Sequence, residues 1–265
     1  MTSEQKIIKY AAIALAVLLI ASIVFGAMSI VGWIGGIGKS AVGDNQTYTP
    51  EGEINSLKVE IGAAEFKIVE SEIFKVESNL KWLDVKVSGG TLVLHEKQKN
   101  NADYDGAVLT IYIPEDFVFS DANINTGAGK LTVERLSSGT LHLLLGAGEA
   151  IINNLTATSS AEIEGGAGSL SILGGSIKDL DLEMGVGKLD LDASLLGDSE
   201  LDLGVGEVKI ALQGGRDSYT LEINKAIGSI QIDGESLSSS RTIGNGERTV
   251  EINGGIGDID VTFKE

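Results

Sequence analysis

The chain has no cysteine and only two prolines. Without thiols, neither a disulfide framework nor a thiolate metal site can hold the fold together. Aromatic residues make up 5% of the 265 positions, which excludes a thick core of large side chains. Histidine occurs only at His95 and His142, so imidazole chemistry has little to work with. Positive charge is scarce as well: 20 Lys and Arg stand against 38 Asp and Glu, a formal net charge of -18. So acidic a chain lacks the basic footprint that a phosphate backbone requires, and nucleic acid is excluded as a partner.

Glycine is plentiful, at 35 residues, and it recurs in a pattern. Gly127-Ala128-Gly129, Gly146-Ala147-Gly148, Gly166-Ala167-Gly168, Gly185-Val186-Gly187 and Gly204-Val205-Gly206 follow one another at intervals of 19 or 20 residues. Self-similarity at this period is the signature of a solenoid, whose repeats bury their cores only against one another. Apolar residues alternate with period two on both sides of each phrase: Leu180 and Leu182 before it, Leu189 and Leu191 after it. Such alternation predicts strands with one buried face. The glycines are expected at stacked corners, with the intervening Ala, Val or Ile pointing inward. Ala226-Ile227-Gly228 and Gly255-Ile256-Gly257 continue the phrase after longer intervals, so Gly228, Gly255 and Gly257 join the corner set. The extra residues from Gly234 to Glu247 are expected to form a projecting loop.

The fold class predicted is all-β, a parallel β-helix (β-solenoid) of about ten coils, preceded by one N-terminal transmembrane α-helix. Residues 1–7 form a short cytosolic N-terminus, and residues 8–34 the span. Ile8 to Ile30 carries one charge, Lys9 at its start, and is long enough for a ~30 Å hydrocarbon core. The apolar run exceeds the h-region of a signal peptide, and no A-x-A site follows it. Lys6 and Lys9 at the start of the run predict a cytoplasmic N-terminus and an extracellular C-terminal domain at the plasma membrane. Residues 35–53, rich in small, polar and acidic residues, predict a flexible linker. Residues 54–119 read as degenerate N-terminal coils that cap the solenoid, and residues 120–265 as the regular repeats.

Charge is placed, not merely abundant. Four residues before the first Gly of a phrase stand Glu162, Asp181, Glu200, Glu222 and Glu251; two residues before it stand Glu60, Glu164, Glu183 and Asp202. Stacked coils would turn these carboxylates into two adjacent ladders on one face, a stripe for Ca or Mg or for a cationic envelope partner. Screening by solvent and salt is the plainer account of the same face. No catalytic residue is predicted. His142 falls on the ladder itself, at a position that neighbouring repeats fill with Asn123 and Glu162. Gly127 to Thr132 fails as a P-loop, which would need glycine where Ile124 stands, so no nucleotide is expected.

In Ile124 to Gly129, Ile111-Tyr112-Ile113-Pro114, Asp217-Ser218-Tyr219-Thr220 and Gly254 to Val261, the chain resembles a bacterial adhesin-like family of unknown function. The resemblance runs from about Ile54 to the C-terminus. It implies a membrane-anchored β-helix outside the cell and a role in adhesion or envelope-stress sensing, with an envelope protein or cell-wall component as partner. It supplies no catalytic residues. A passive scaffold of the envelope and, further off, a glycan lyase or hydrolase are the alternative functions.

Overall fold

The computed structural model describes residues 40–97, 102–224 and 227–265. Their elements are β1 (Val42–Tyr48), β2 (Ser56–Ser71), β3 (Lys75–Leu80), β4 (Leu83–Ser88), β5 (Thr91–Glu96), β6 (Val108–Pro114), β7 (Phe119–Val133), β8 (Leu136–Ile152) and β9 (Leu155–Ile172). There follow β10 (Gly175–Lys178), β11 (Leu180–Leu196), β12 (Asp198–Gln213), a 3-10 turn at Arg216–Ser218, β13 (Tyr219–Asn224), β14 (Ile230–Ile232), β15 (Glu235–Ser236), β16 (Arg241–Gly244), β17 (Arg248–Asn253) and β18 (Ile256–Lys264). All the strands belong to one 18-stranded sheet.

The spine of that sheet is a parallel stack in the order β2, β7, β8, β9, β11, β12. Each of these strands runs straight through its glycine phrase instead of ending at it. Residues of like repeat position therefore lie directly over one another: Leu131, Ala150, Leu170, Leu189 and Val208 form one buried column. Ala122, Leu141, Ala161, Leu182 and Leu201 are buried on the arm before the phrase. The short β10 lies between the start of β9 and the end of β11, on a third side of the stack. Period-two alternation thus delivers one apolar side chain per rung to each column, which is how a core can be built with so few aromatics.

Both ends depart from chain order. At one end β5 and β6 pair with the two halves of β2, so β2 lies between them and β7. At the other, β17 and β18 lie on β12, and β13 and β14 stack outside them. Antiparallel strands finish each end: β4 on β5, β3 on β6 and β1 on β3, then β16 on β13 and β15 on β14. Tyr219, fully buried, fastens the second end. Its hydroxyl donates to the Gln213 carbonyl at 2.7 Å and accepts from the Leu195 N–H and from Arg248 Nη1, both at 3.3 Å.

The expected fold class is corrected accordingly. The chain is all-β, but its coils do not follow one another in sequence order and its sheet is not purely parallel. The physical reason is edge protection, because an open parallel rung would expose a full row of unpaired backbone groups. Among the described residues no helix is long and apolar enough to cross a membrane, and the expected span at residues 8–34 lies outside the described residues. The expected flexible linker at 35–53 contains strand β1, held by β3. The expected loop from Gly234 to Glu247 contains β15 and β16, folded back on the outermost strands.

Candidate functional site

The repeat register builds two columns of polar side chains on the arm that precedes each glycine phrase. In the first column Asn123, His142, Glu162, Asp181, Glu200, Glu251 and Glu222 lie one above another. In the second the order is Asn125, Leu144, Glu164, Glu183, Asp202, Asn253 and Asn224. Of the carboxylates expected in the stripe, Glu162, Glu164, Asp181, Glu183, Glu200, Asp202 and Glu222 are therefore brought to one face, with Glu251 between Glu200 and Glu222. The first seven are exposed.

Like charges opposite one another in a sheet cost about 0.2 to 1 kcal/mol per pair, and the structure shows where that cost falls. Partial burial raises the Glu183 pKa, helped by Asp202, Asp181, Glu164 and Glu162. Burial likewise raises that of Glu200, together with Asp202, Glu251 and Asp181. Neutral or basic donors relieve the columns at both ends. Asn253 Nδ2 donates to Glu200 Oε1 at 3.1 Å and to Asp202 Oδ1 at 2.7 Å, and Asn224 Nδ2 donates to Glu251 Oε1 at 2.9 Å. At the other end His142 Nδ1 lies 2.7 Å from Glu162 Oε2, while Lys58 Nζ and His95 Nδ1 both reach Glu60 at 2.9 Å. The middle of the face, Glu164, Asp181 and Glu183, has no such relief.

The arm after the phrase behaves differently. Lys130 pairs with Glu149 at 2.7 Å, and Glu207 accepts both Lys188 at 3.1 Å and Lys209 at 2.8 Å. That arm interleaves both signs, whereas the middle of the other carries carboxylates alone. Among the described residues no group of three or more His, Asp or Glu side chains converges to hold a metal ion. The carboxylates form rows, not a cage, so the expected Ca or Mg stripe lacks the convergent oxygens that such ions require.

The corner glycines carry the geometry that makes the rows possible. A Cβ on Gly127, Gly146, Gly166, Gly185, Gly204 or Gly255 would run into a backbone carbonyl of the adjacent rung. The second glycines, Gly129, Gly148, Gly168, Gly187, Gly206, Gly228 and Gly257, meet the same obstacle at positive φ. Stacking follows the topology and not the chain: Gly255 and Gly257 sit over Gly204 and Gly206, and Gly228 sits over Gly257. The intervening residues do not seal the corner as expected. Ala128, Ala147 and Ala167 are half-buried, while Ile256 and Ile227 are 38% and 53% exposed. With glycine on both sides, no neighbouring side chain covers them.

The functional residues missed from the sequence are Asn224 and Asn253, the amide donors that blunt one end of the ladder. Repeat position was the available signal. Asn253 stands two residues before Gly255, the position that Glu183 and Asp202 occupy in their own repeats.

The raised carboxylates predict a pH dependence. A group with a raised folded pKa contributes stability that is complete below its unfolded value and lost as pH rises through the folded value. Acidification from neutrality toward pH ~5 should therefore raise the melting temperature. Below that, Glu60, Glu65, Glu77 and Glu207, each hydrogen-bonded to a lysine and lowered in pKa, lose their stabilisation as pH falls through their depressed values. Scanning calorimetry should show a mildly acidic maximum, and Glu183→Gln should flatten the rise. A stability that only falls on acidification would contradict this account of the ladder.

A family model described as Toastrack DUF4097 matches residues 33–262. Among solved structures, a protein from Clostridium sporogenes named provisionally for cell adhesion is 14% identical, over 83% of this chain and 99% of that one, with a TM-score of 0.37. A protein from Bacteroides fragilis, named provisionally as an adhesin, is 15% identical over 85% of this chain and all of its own (100%), with a TM-score of 0.37. Another from Parabacteroides merdae, similarly named, is 12% identical over 86% and 99%, with a TM-score of 0.38. No curated protein matches the sequence.

Proposed function

The chain belongs to the Toastrack DUF4097 family, and on that footing we propose that it is a non-enzymatic, adhesin-like binding scaffold of the cell envelope whose recognition surface is the double carboxylate row. The observation that carries the reading is the asymmetry of the two arms. Lysines pair with Glu149 and Glu207 on the arm after the glycines, whereas the arm before them stacks Glu164, Glu183 and Asp202 in one column, with Asp181 in the next, and no cation beside them. A surface under that much self-repulsion favours a cationic partner, since docking relieves the repulsion as well as adding new pairs. Nothing on this face resembles a reaction centre. Its two histidines are exposed, and each is paired with a carboxylate outside any enclosed cleft.

The test compares two variants of equal net charge. The Glu162→Gln, Asp181→Asn, Glu183→Gln, Asp202→Asn variant strips the ladder; the Asp44→Asn, Glu51→Gln, Glu53→Gln, Glu235→Gln variant removes four exposed carboxylates elsewhere. Binding to polylysine-coated beads at physiological salt should fall about tenfold for the first and hardly at all for the second. Equal losses would reduce the effect to bulk charge and end the proposal.

A further inference from the structure

The corner carries an apolar strip that neither face accounts for. Ala128, Ala147, Ala167, Val186, Val205 and Ile256 lie in register from rung to rung, and Ile227 continues the line by bridging to Ile256. Side-chain size grows along the strip, from alanine through valine to isoleucine, and exposure is greatest at the isoleucine end. A shallow groove opens there between the glycines, with Met184 and Leu203 on its floor. On one bank, three residues back along the rungs of Val186 and Val205, stand Glu183 and Asp202. On the other bank Lys188 and Lys209 are spent on Glu207, so no free cation offsets the ladder there.

We infer that this groove docks a cationic amphipathic segment of a partner protein, apolar residues on the isoleucine end of the strip and lysine or arginine against the ladder. The inference rests on the recognition surface proposed above and adds the apolar half of its ligand. Charge complementarity selects the occupant. A second copy of the chain would bring a second acidic ladder against the first, and an anionic lipid surface would be repelled in the same way. A basic segment without apolar side chains would leave Ile227 and Ile256 in water.

Fluorescence anisotropy with the full chain and a labelled Lys–Leu repeat peptide tests this, with Lys–Ser and Glu–Leu repeats of equal length as controls. Lys–Leu should bind about tenfold more tightly than Lys–Ser, the gain coming from buried apolar area. The Ile227→Ser, Ile256→Ser variant should erase that difference; both side chains are exposed, so its melting temperature should stay where it was. Equal binding of Lys–Leu and Lys–Ser overturns the groove and leaves the ladder reading standing. Failure of both peptides overturns both. Preferential binding of Glu–Leu overturns the assignment of the occupant, as does phosphatidylcholine-vesicle binding, or a dimer, that the double variant abolishes.

Discussion

Gly187→Val is expected to lower folding stability by at least about 4 kcal/mol, enough to leave much of the chain unfolded at physiological temperature. Two independent causes act at this position. The backbone sits at φ +146, where β-branched residues are strongly disfavoured, and any Cβ would overlap the carbonyl oxygen of Gly168 in the rung below. That oxygen cannot retreat, because Gly168 is itself stacked on Gly148 in the next rung down. Relief would require the whole corner column to move, whereas a flexible side chain could simply have turned aside. The control is Gly89→Ala, where φ is +58 and nothing lies within 4 Å of an added Cβ. That change should cost only the left-handed backbone penalty, about 1 kcal/mol. Thermal unfolding of the two variants separates stacking from φ strain, and near-equal shifts would show that rung contact contributes little.

Removal of residues 248–265 is expected to unfold more than the segment removed. In a solenoid wound in sequence order, loss of the final residues strips one coil and leaves the rest protected. Among the described residues, β17 and β18 are the only strands joining β13 and β14 to β12. Arg248, which reaches Ser194, the Gln213 carbonyl and the Tyr219 hydroxyl, goes with them. The amides of β13 and β14 should therefore lose protection by about a hundredfold or more, although both strands are still present. The buried arm of β9 and β11 should keep its protection. Retained protection across Tyr219 to Asn224 would mean that β13 can dock on β12 directly, and that the observed order is a preference, not a requirement.

These two results bear on what a repeat sequence can convey. Strand alternation and the position of each residue within its repeat are local properties, so the columns containing Leu182 and Leu189, and the rows containing Asp181 and Glu183, were legible before any coordinates. Which rung follows which is not local. Gly228 and Gly255-Ile256-Gly257 are equally good partners for Gly204-Val205-Gly206 as written. What separates them is strand length, since β18 runs nine residues and covers the second arm of β12, whereas β14 runs three. A three-residue strand would leave much of that arm in water. Strand β1 escaped notice for a related reason. Val42–Tyr48 is polar and mostly exposed, and it is a strand only because β3 presents an edge to it. At the candidate site the carboxylates could be read from repeat position, but the openness of the corner could not. Alternation alone points Val186 and Ile256 inward, and only stacked glycines with no side chains to close over them leave the strip in view.

The leapfrogged C-terminal end also sets manufacture against assembly. Strands β13 and β14 leave the ribosome before residues 248–264, yet beyond their antiparallel partners β16 and β15 they have no rung of the stack to join until that later segment has settled on β12. The outermost rung must wait for residues 248–264 to be made. A prematurely ended copy would present the long outer edge of β12 unpaired, with residues 219–232 loose beside it, a template for pairing between chains. Placing these later-made strands inside the stack thus ties a protected edge to the synthesis of residues 248–264, and leaves copies that stop short of them marked by an aggregation-prone surface.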